Sequence, residues 1–341
     1  MTLTKFEIHS RKSENYWDVR KLVKDDFTLK TDGNFAAGEL DFDLFEVNEG
    51  FVPNNGDEVR FEWDNQKIFF GHIFKVNYTS DEVFSCVAYD NMRYLKNQDS
   101  LVWPVSTLTQ RFTTMCKSAG ISYRVVKGSN YKLPAKVSDG VSFFSMLQED
   151  IESVYTATKE RYFIRDNFGT VELCAMPLQT SGEVLVVGDK SIATSWEYDR
   201  SIDDAANVVK VVKNSKKDAG KTTATASDDP SNTVITSQSA SSSSTISRWG
   251  KLQIVEKVND DKMNSAQMKS QAQSLLKQHN IQESSMKVTA IGSLYFKVGS
   301  IFVLKVASLG DIGIKQPIVT VQTCTQNFSS KNWTTDMEVS L

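Results

Sequence analysis

The residues that could do chemistry are few and far apart. There are three histidines, His9, His72 and His279, and histidine is the usual general base and metal ligand. None stands in an H-x-x-x-H or H-E-x-x-H pattern or at ligand spacing from a cysteine, so neither a zinc site nor a metal-activated water is expected. The four cysteines, Cys86, Cys116, Cys174 and Cys324, form no C-x-x-C pair and lie in apolar segments. They read as buried free thiols rather than as nucleophiles or disulfides, as in a protein made in a reducing cytoplasm. Cys116 falls on the apolar stripe of a helical segment. No G-x-S-x-G, P-loop or G-x-G-x-x-G occurs.

Paired carboxylates could serve glycoside hydrolysis. Asp41 and Asp43 share one face of a strand, about 7 Å apart by the strand rise. Acids alternating in a strand are more simply its wet face. Asp203-Asp204, Asp229 and Asp260-Asp261 are turn or loop acids. Phe61, Trp63, Phe70, Phe74 and Tyr78 could form a sugar-stacking platform, but their alternation favours core packing. Trp249 and Trp333 each open a strand among polar residues, a position suited to an interface rim. No catalytic, cofactor-binding or metal residue is assigned from these patterns, and no cofactor is expected.

The elements that would position these residues are mostly strands in the first hundred residues. "GELDFDLFEV" and "DEVRFEWDNQKIFFGHIFKV" alternate with period two, with a turn at Asp64-Asn65. "EVFSCVAYD" is apolar on both faces, which suggests a closed barrel whose outer wall is covered by another domain or subunit. After Pro104 the period becomes helical: Val105, Leu108, Phe112, Met115, Cys116 and Ala119, capped by Ser106 or Thr107 and ended by Gly120. A second helical stripe runs Val141, Phe144, Leu147, Ile151, Val154. A hairpin follows with its turn at Asp166-Asn167-Phe168-Gly169. Ser215–Ser247 is so poor in large apolar residues that a mobile loop inside one domain is expected. A helix with Met268, Ala272, Leu275 and Leu276 on one face and a terminal hairpin complete the chain. The expected class is mainly β with α+β parts: a first tube-type β-barrel at 1–103, an α/β insert at 104–185, and a second barrel at 186–341 with a helix at about 264–280 and the loop at about 215–247. In this plan the segment Tyr89 to Trp103 is the seam between barrel and insert. Arg93 is expected to pair with a carboxylate such as Asp90, or with an acid on a neighbouring strand, with Tyr94 and Leu95 filling the barrel's open end.

The chain has 341 residues, 40% of them hydrophobic and 10% aromatic, enough for real cores; Lys+Arg 39 against Asp+Glu 42 gives a net charge of −3. That balance argues against a large nucleic-acid-binding surface. The start, "MTLTKFEIHSRKSENYW", has no apolar signal-like region, and no stretch reaches the roughly 18 apolar residues that span a bilayer; a soluble protein made in the cytosol, not secreted and not inserted in a membrane, is expected.

Four motifs, in order along nearly the whole chain, carry a resemblance. They are Asn65 to Ile73 followed by the YD-x-x-RYL segment Tyr89 to Leu95, then "RWGKLQ" at Arg248 to Gln253, then Val288 to Gly299 after a helix. The sequence resembles the baseplate hub proteins of PBSX-like contractile phage tails and R-type bacteriocins. The resemblance implies two similar barrels with an α/β insert. It implies a homotrimer that joins the hexameric tail tube to the trimeric central spike and anchors the wedges. Its further partners would be tube, spike, wedge and tape-measure proteins. It would sit in the tail baseplate, assembled in the bacterial cytoplasm and released on lysis. Polar strand faces such as Arg60/Glu62/Asp64 and Asp41/Asp43 would line either the lumen or the subunit contacts, and a mildly acidic, wet lumen would let DNA or a tape-measure protein pass without specific binding. Such a protein needs large faces and no active site, so a non-enzymatic role is expected. The alternative from a different class is a tail-associated cell-wall hydrolase or cell-wall-binding protein. A secreted adhesin-like β protein fits less well, given the missing signal peptide and the interior helices.

Overall fold

The computed structural model describes residues 2–33, 35–46, 51–178, 185–216, 233–258, 263–315 and 317–340. In chain order the first strands are β1 (Leu3–His9), β2 (Tyr16–Asp18), β3 (Phe27–Asp32), β4 (Glu39–Phe45), β5 (Glu58–Trp63), β6 (Gln66–Thr79) and β7 (Val83–Asp90). A 3-10 helix, Asn91–Lys96, leads to β8 (Gln98–Trp103), β9 (Ser106–Thr107), α1 (Leu108–Ser118), β10 (Tyr123–Val125), β11 (Lys132–Leu133), β12 (Lys136–Ser142), α2 (Phe143–Thr158), β13 (Arg161–Asn167) and β14 (Thr170–Met176). Then come β15 (Leu185–Gly188), β16 (Ala193–Ser201), β17 (Val208–Lys216), β18 (Thr233–Ser241), α3 (Ser243–Trp249), β19 (Gln253–Val258), α4 (Ser265–His279) and β20 (Glu283–Ile291). The chain closes with β21 (Ile301–Lys305), a second 3-10 helix at Ala307–Ile312, β22 (Ile318–Phe328) and β23 (Thr334–Ser340). Two compact units result: residues 1–197 with 286–341, and residues 198–285.

The first unit is built on a thirteen-stranded sheet whose main path runs β16-β20-β23-β22-β3-β4-β7-β6-β5-β1-β2, with β15 and β21 branching from β22. The alternation that marks β4 and β5 in the sequence is the alternation of their burial. Leu40, Phe42 and Leu44 face inward with Val59, Phe61 and Trp63. Asp64 and Asn65 both take positive φ, 48° and 62°, as the tight β5–β6 turn demands. The sheet curls until β5 and β1, near one end of the path, face β3 and β22 in its middle across the core: Phe6 of β1 lies 5.7 Å from Phe27 of β3, and Phe61 of β5 lies 5.2 Å from Phe328 of β22.

Two closed barrels do not form among the described residues. β3 pairs with β22 from Phe27↔Phe328 to Asp32↔Thr323, so the backbone edge that would close the first half on itself is spent on the last strands of the chain. Thr31 Oγ1 donates to the Cys324 carbonyl across 293 residues of sequence. One continuous sheet therefore replaces two separate ones.

Between these strands sits a helical layer with its own core. Thr107 and Gln110 form a reciprocal capping box on α1, and Ser142 caps α2. Leu108, Phe112, Met115, Leu147, Ile151 and Val154 pack together with Met92 and Leu95 of the 3-10 helix. Two residues assigned to the helical stripes lie elsewhere: Val105 and Val141 precede the helices and are exposed, because the caps begin each helix two or more residues later. Inside this layer Arg111 and Asp150, each 1% exposed, pair at 2.8 Å, and Lys136 reaches Asp150 at 2.8 Å.

In the second unit β17 is the middle strand between antiparallel β18 and parallel β19. Met268 and Ala272 of α4 cover Val209 and Val211, with Leu275 and Leu276 beside them. Part of the span expected to be a mobile loop is ordered: residues 233–241 are strand and 243–249 helix, while 217–232 lie outside the described residues. Low apolar content reads as loop, yet the backbone ladder to β17 holds β18 and needs only occasional apolar contacts such as Ala240.

Candidate functional site

β13 and β14 turn through Phe168 and Gly169, whose φ angles are 52° and 84°. The tight turn sets the register and puts Arg165 opposite Glu172. Parallel β10 sets Arg124 beside the same glutamate. Glu172 has no exposed surface and accepts from Arg165 Nε at 2.9 Å, Asn167 Nδ2 at 3.0 Å and Arg124. Burial raises its pKa, but these donors outweigh burial and hold it below the ordinary glutamate value.

Next to this cluster Asp90 and Asp166 border a cavity of about 100 Å³, with Asp32, Lys67, Arg165 and Lys297 also in its wall. Asp90 Oδ1 accepts the Met92 N–H at 2.9 Å and so caps the 3-10 helix; Oδ2 accepts the Gly38 N–H at 2.8 Å. A Cβ on Gly38 would come within 2.5 Å of Asp90 Oδ2, so this contact requires glycine. Asp166 Oδ1 accepts the Gly169 N–H at 2.6 Å, while its buried Oδ2 makes no hydrogen bond of ordinary geometry. Burial, and then the charge of Asp166, raise the Asp90 pKa well above the aspartate range. Burial pushes Asp166 up to about 6. Burial, and then nearby Arg165, lower the Lys297 pKa. Raised carboxyls in a cavity are what a general acid needs. Here, though, backbone donors occupy both Asp90 oxygens, and the volume is well under the roughly 300–1,000 Å³ of a ligand pocket.

The residues singled out in the sequence do not converge. His9 lies between Glu58 (3.2 Å) and the stacked Tyr16 ring (4.0 Å). His72 accepts from Arg11 at 2.8 Å, and burial together with the Arg11 charge lowers its pKa. The His279 carbonyl, at the end of α4, takes the Ala206 N–H. All four cysteines are buried and free, and burial lifts their thiol pKa values, to about 12 for Cys86, Cys116 and Cys324 and about 11 for Cys174. Such thiols are poor nucleophiles. Asp43 pairs with Lys24 at 3.1 Å, and burial followed by Glu39 raises the Asp41 pKa. Among the described residues no three metal-donor side chains gather, and no helix is long and apolar enough to cross a membrane.

Several assignments change. Arg93 does not pair with Asp90; its guanidinium lies 5.0 Å over Phe74, since Asp90 is committed to backbone donors. Leu95 enters the helical core, and Tyr94 stands between His72 and Phe74, so neither plugs a barrel. Phe61 and Trp63 are core, but Phe70 and Phe74 are half-buried and Tyr78 is exposed. Register breaks against β5 and β7 skip Ile68 and Phe74 and shift the alternation of β6. Trp333 is buried, stacked 5.4 Å from Phe328, and its Nε1 donates to Gln326 at 2.9 Å. Trp249 ends α3 instead of opening a strand. The Glu172 cluster was missed. Its signal was an acid in the apolar run Val171-Glu172-Leu173-Cys174, placed opposite Arg165 by the turn at 166–169.

The feature of largest extent is a surface. On the outward side of the continuous sheet, one row runs Thr289–Asp336–Thr325–Lys30–Glu39 and another Lys287–Glu338–Thr323–Asp32. Asp41 and Asp43 extend it along β4. Acids outnumber lysines, and Thr and Asn fill the gaps; Asn327 Nδ2 and Thr289 Oγ1 both donate to Asp336 at 2.7 Å. By contrast, Arg60 on β5 pairs with Glu58 and lies 5.2 Å over Phe70.

Residues 27–340 match a family model described as YQBQ-like. The uncharacterized protein YqbQ of Bacillus subtilis (strain 168) is 26% identical over 269 residues, covering 78% of this chain and 76% of that one. The phage-like element PBSX protein XkdQ of the same strain is 25% identical over 246 residues, covering 71% and 69%. Among solved structures, the prophage MuSo2 43 kDa tail protein from Shewanella oneidensis matches over 98% of both chains, with TM-score 0.66 and 11% identity. This is a likeness of fold.

Proposed function

Since this chain belongs to the YQBQ-like family and has the fold of a prophage tail protein, we propose that it is a structural hub of a contractile-tail baseplate or tailocin. In this role it is a homotrimer, a non-enzymatic adaptor between hexameric tail tube and trimeric central spike that also anchors the wedges. It assembles in the bacterial cytoplasm and leaves with the particle on lysis.

The observation that carries this reading is the β3–β22 ladder. It joins the N-terminal and C-terminal strands into one sheet, core on one side and acidic threonine-rich surface on the other. A wall between a bore and its surroundings needs such a sheet. The acidic side faces the bore, where it repels a passing polyanion at short range, within about 8–10 Å at ordinary salt. Of the two strand faces expected at the lumen or the subunit contacts, the Asp41/Asp43 face fits the lumen, whereas Arg60 lies against the Tyr16 and Phe70 rings. Each subunit contact should bury on the order of 1,000 Å² or more.

The test is the mass of the purified chain in solution, alone and mixed with the spike protein of the same particle. A trimer in either condition is expected; a chain that stays monomeric in both overturns the reading. Turbidity clearing of purified cell walls separates it from the hydrolase alternative, for which clearing is required.

A further inference from the structure

We propose that Asp90 and Asp166 form a proton-dependent latch that docks the helical layer on the sheet, closed while one of the two carboxyls carries a proton and loosened when both are ionised. The two acids stand on elements that meet. Asp90 ends β7 and caps the 3-10 helix, whose Met92 and Leu95 are buried in the helical-layer core. Asp166 is next to last in β13 and caps the β13–β14 turn through the Gly169 N–H. Asn91 Nδ2 ties the two elements together by donating to the Gly169 carbonyl at 2.8 Å. Asp90 also holds Gly38, just before β4, so the sheet and the 3-10 helix share one carboxyl, and Asn91 carries the link on to the turn.

Both carboxyls border the same small cavity. The buried Asp166 Oδ2 makes no hydrogen bond of ordinary geometry, and the Gly169 and Asn91 N–H groups at this carboxylate do not offset its burial, which is costly when charged. The charges that face the pair do not remove this cost. Arg165 is bound to Glu172 at 2.8 Å. The ammonium of Lys297 is itself disfavoured by burial. Lys67 lies over the Phe168 ring at 5.2 Å, and Asp32 adds another acid to the wall.

The sign follows from the folded state binding protons more tightly than the unfolded chain. The pair's stabilisation is complete below the ordinary aspartate range and falls as pH rises, through about 6 for Asp166 and through the raised value of Asp90. This latch does not depend on the hub reading; a monomer would show it equally.

The experiment is amide hydrogen exchange of the full chain at about pH 5 and about pH 8.5, corrected for intrinsic rates, together with thermal unfolding across that range. Peptides covering 91–97 and 166–170 are expected to exchange several-fold faster at the higher pH. Asp166→Asn, which cannot ionise, should abolish that difference and flatten the pH dependence of Tm relative to the parent. Asp90→Asn serves the same purpose if the first variant does not fold. A parent protein with equal protection at both pH values, or an Asn variant that keeps the full pH difference, overturns the proposal.

Discussion

Arg111 shows how a single residue can be structural and still look catalytic. A fully buried guanidinium beside a buried carboxylate and a lysine could pass for a charge-relay site. Its donors go instead to Asp150, Ser106 Oγ (2.9 Å) and the Pro134 carbonyl (2.6 Å), and its face lies 5.4 Å over Trp103. Those contacts pin the entry to α1, β11 and α2 together. Removing one member of a buried ion pair strands the other charge, at about 3–5 kcal/mol. Asp150→Leu, which strands the buried Arg111 guanidinium while Lys136 keeps Glu149 at 3.0 Å, should therefore lower stability by that order in urea denaturation. Arg111→Leu in the same chain should restore much of the loss, whereas Arg111→Leu alone leaves Asp150 paired with Lys136 at 2.8 Å. Additive losses in the two single variants would show that the pair is not the unit. Gln326 plays the corresponding role under the last strands: its carbonyl accepts from Trp333 and Thr335, and its amide donates to the Ser293 and Phe296 carbonyls.

Among the elements, the β22–β23 hairpin carries most of what the chain's end contributes. Its Trp333 ring packs so closely on Gly292 that a Cβ there would come within 2.1 Å of it. Gly292→Ala is thus expected to displace the indole and cost about 1–3 kcal/mol, as overpacking does, visible as a lower Tm and a red-shifted tryptophan emission. The helices and turns were largely legible in the sequence, because their determinants are local. Thr107 and Gln110, Asn264 and Gln267, and the Asp64-Asn65 turn depend on neighbours within a few residues. The register of β6 was not legible. Its bulges at Ile68 and Phe74 are set by β5 and β7 together, and each reverses which side chains face the core. The same holds for the acid cluster: the hairpin turn pairs Arg165 with Glu172, whereas only the fold brings Asp90 to the cavity beside Asp166.

For the whole molecule, the weight falls on one continuous sheet with unlike faces. If its acidic side lines a bore, reversing the charge there should leave assembly intact and slow transit. Asp41→Lys with Glu338→Lys in an assembled, DNA-carrying particle is expected to reduce the DNA ejection rate most at low ionic strength, with recovery as salt screens the added lysines. Ejection at the parent rate under all salt conditions would place this face elsewhere than the bore. Asp43 is left in place because Lys24 already neutralises it.

By itself the sequence determined most element types outside the span 215–247, the turns and the absence of a ligand-spaced histidine or cysteine motif, since each depends on residue type at short range. Tertiary structure alone decided that β3 joins β22, that Trp333 is core, and that Asp90 and Asp166 share a cavity. Partners separated by most of the chain leave no periodic trace in either segment, and a strand's open edge satisfies its backbone with whichever strand the packing delivers.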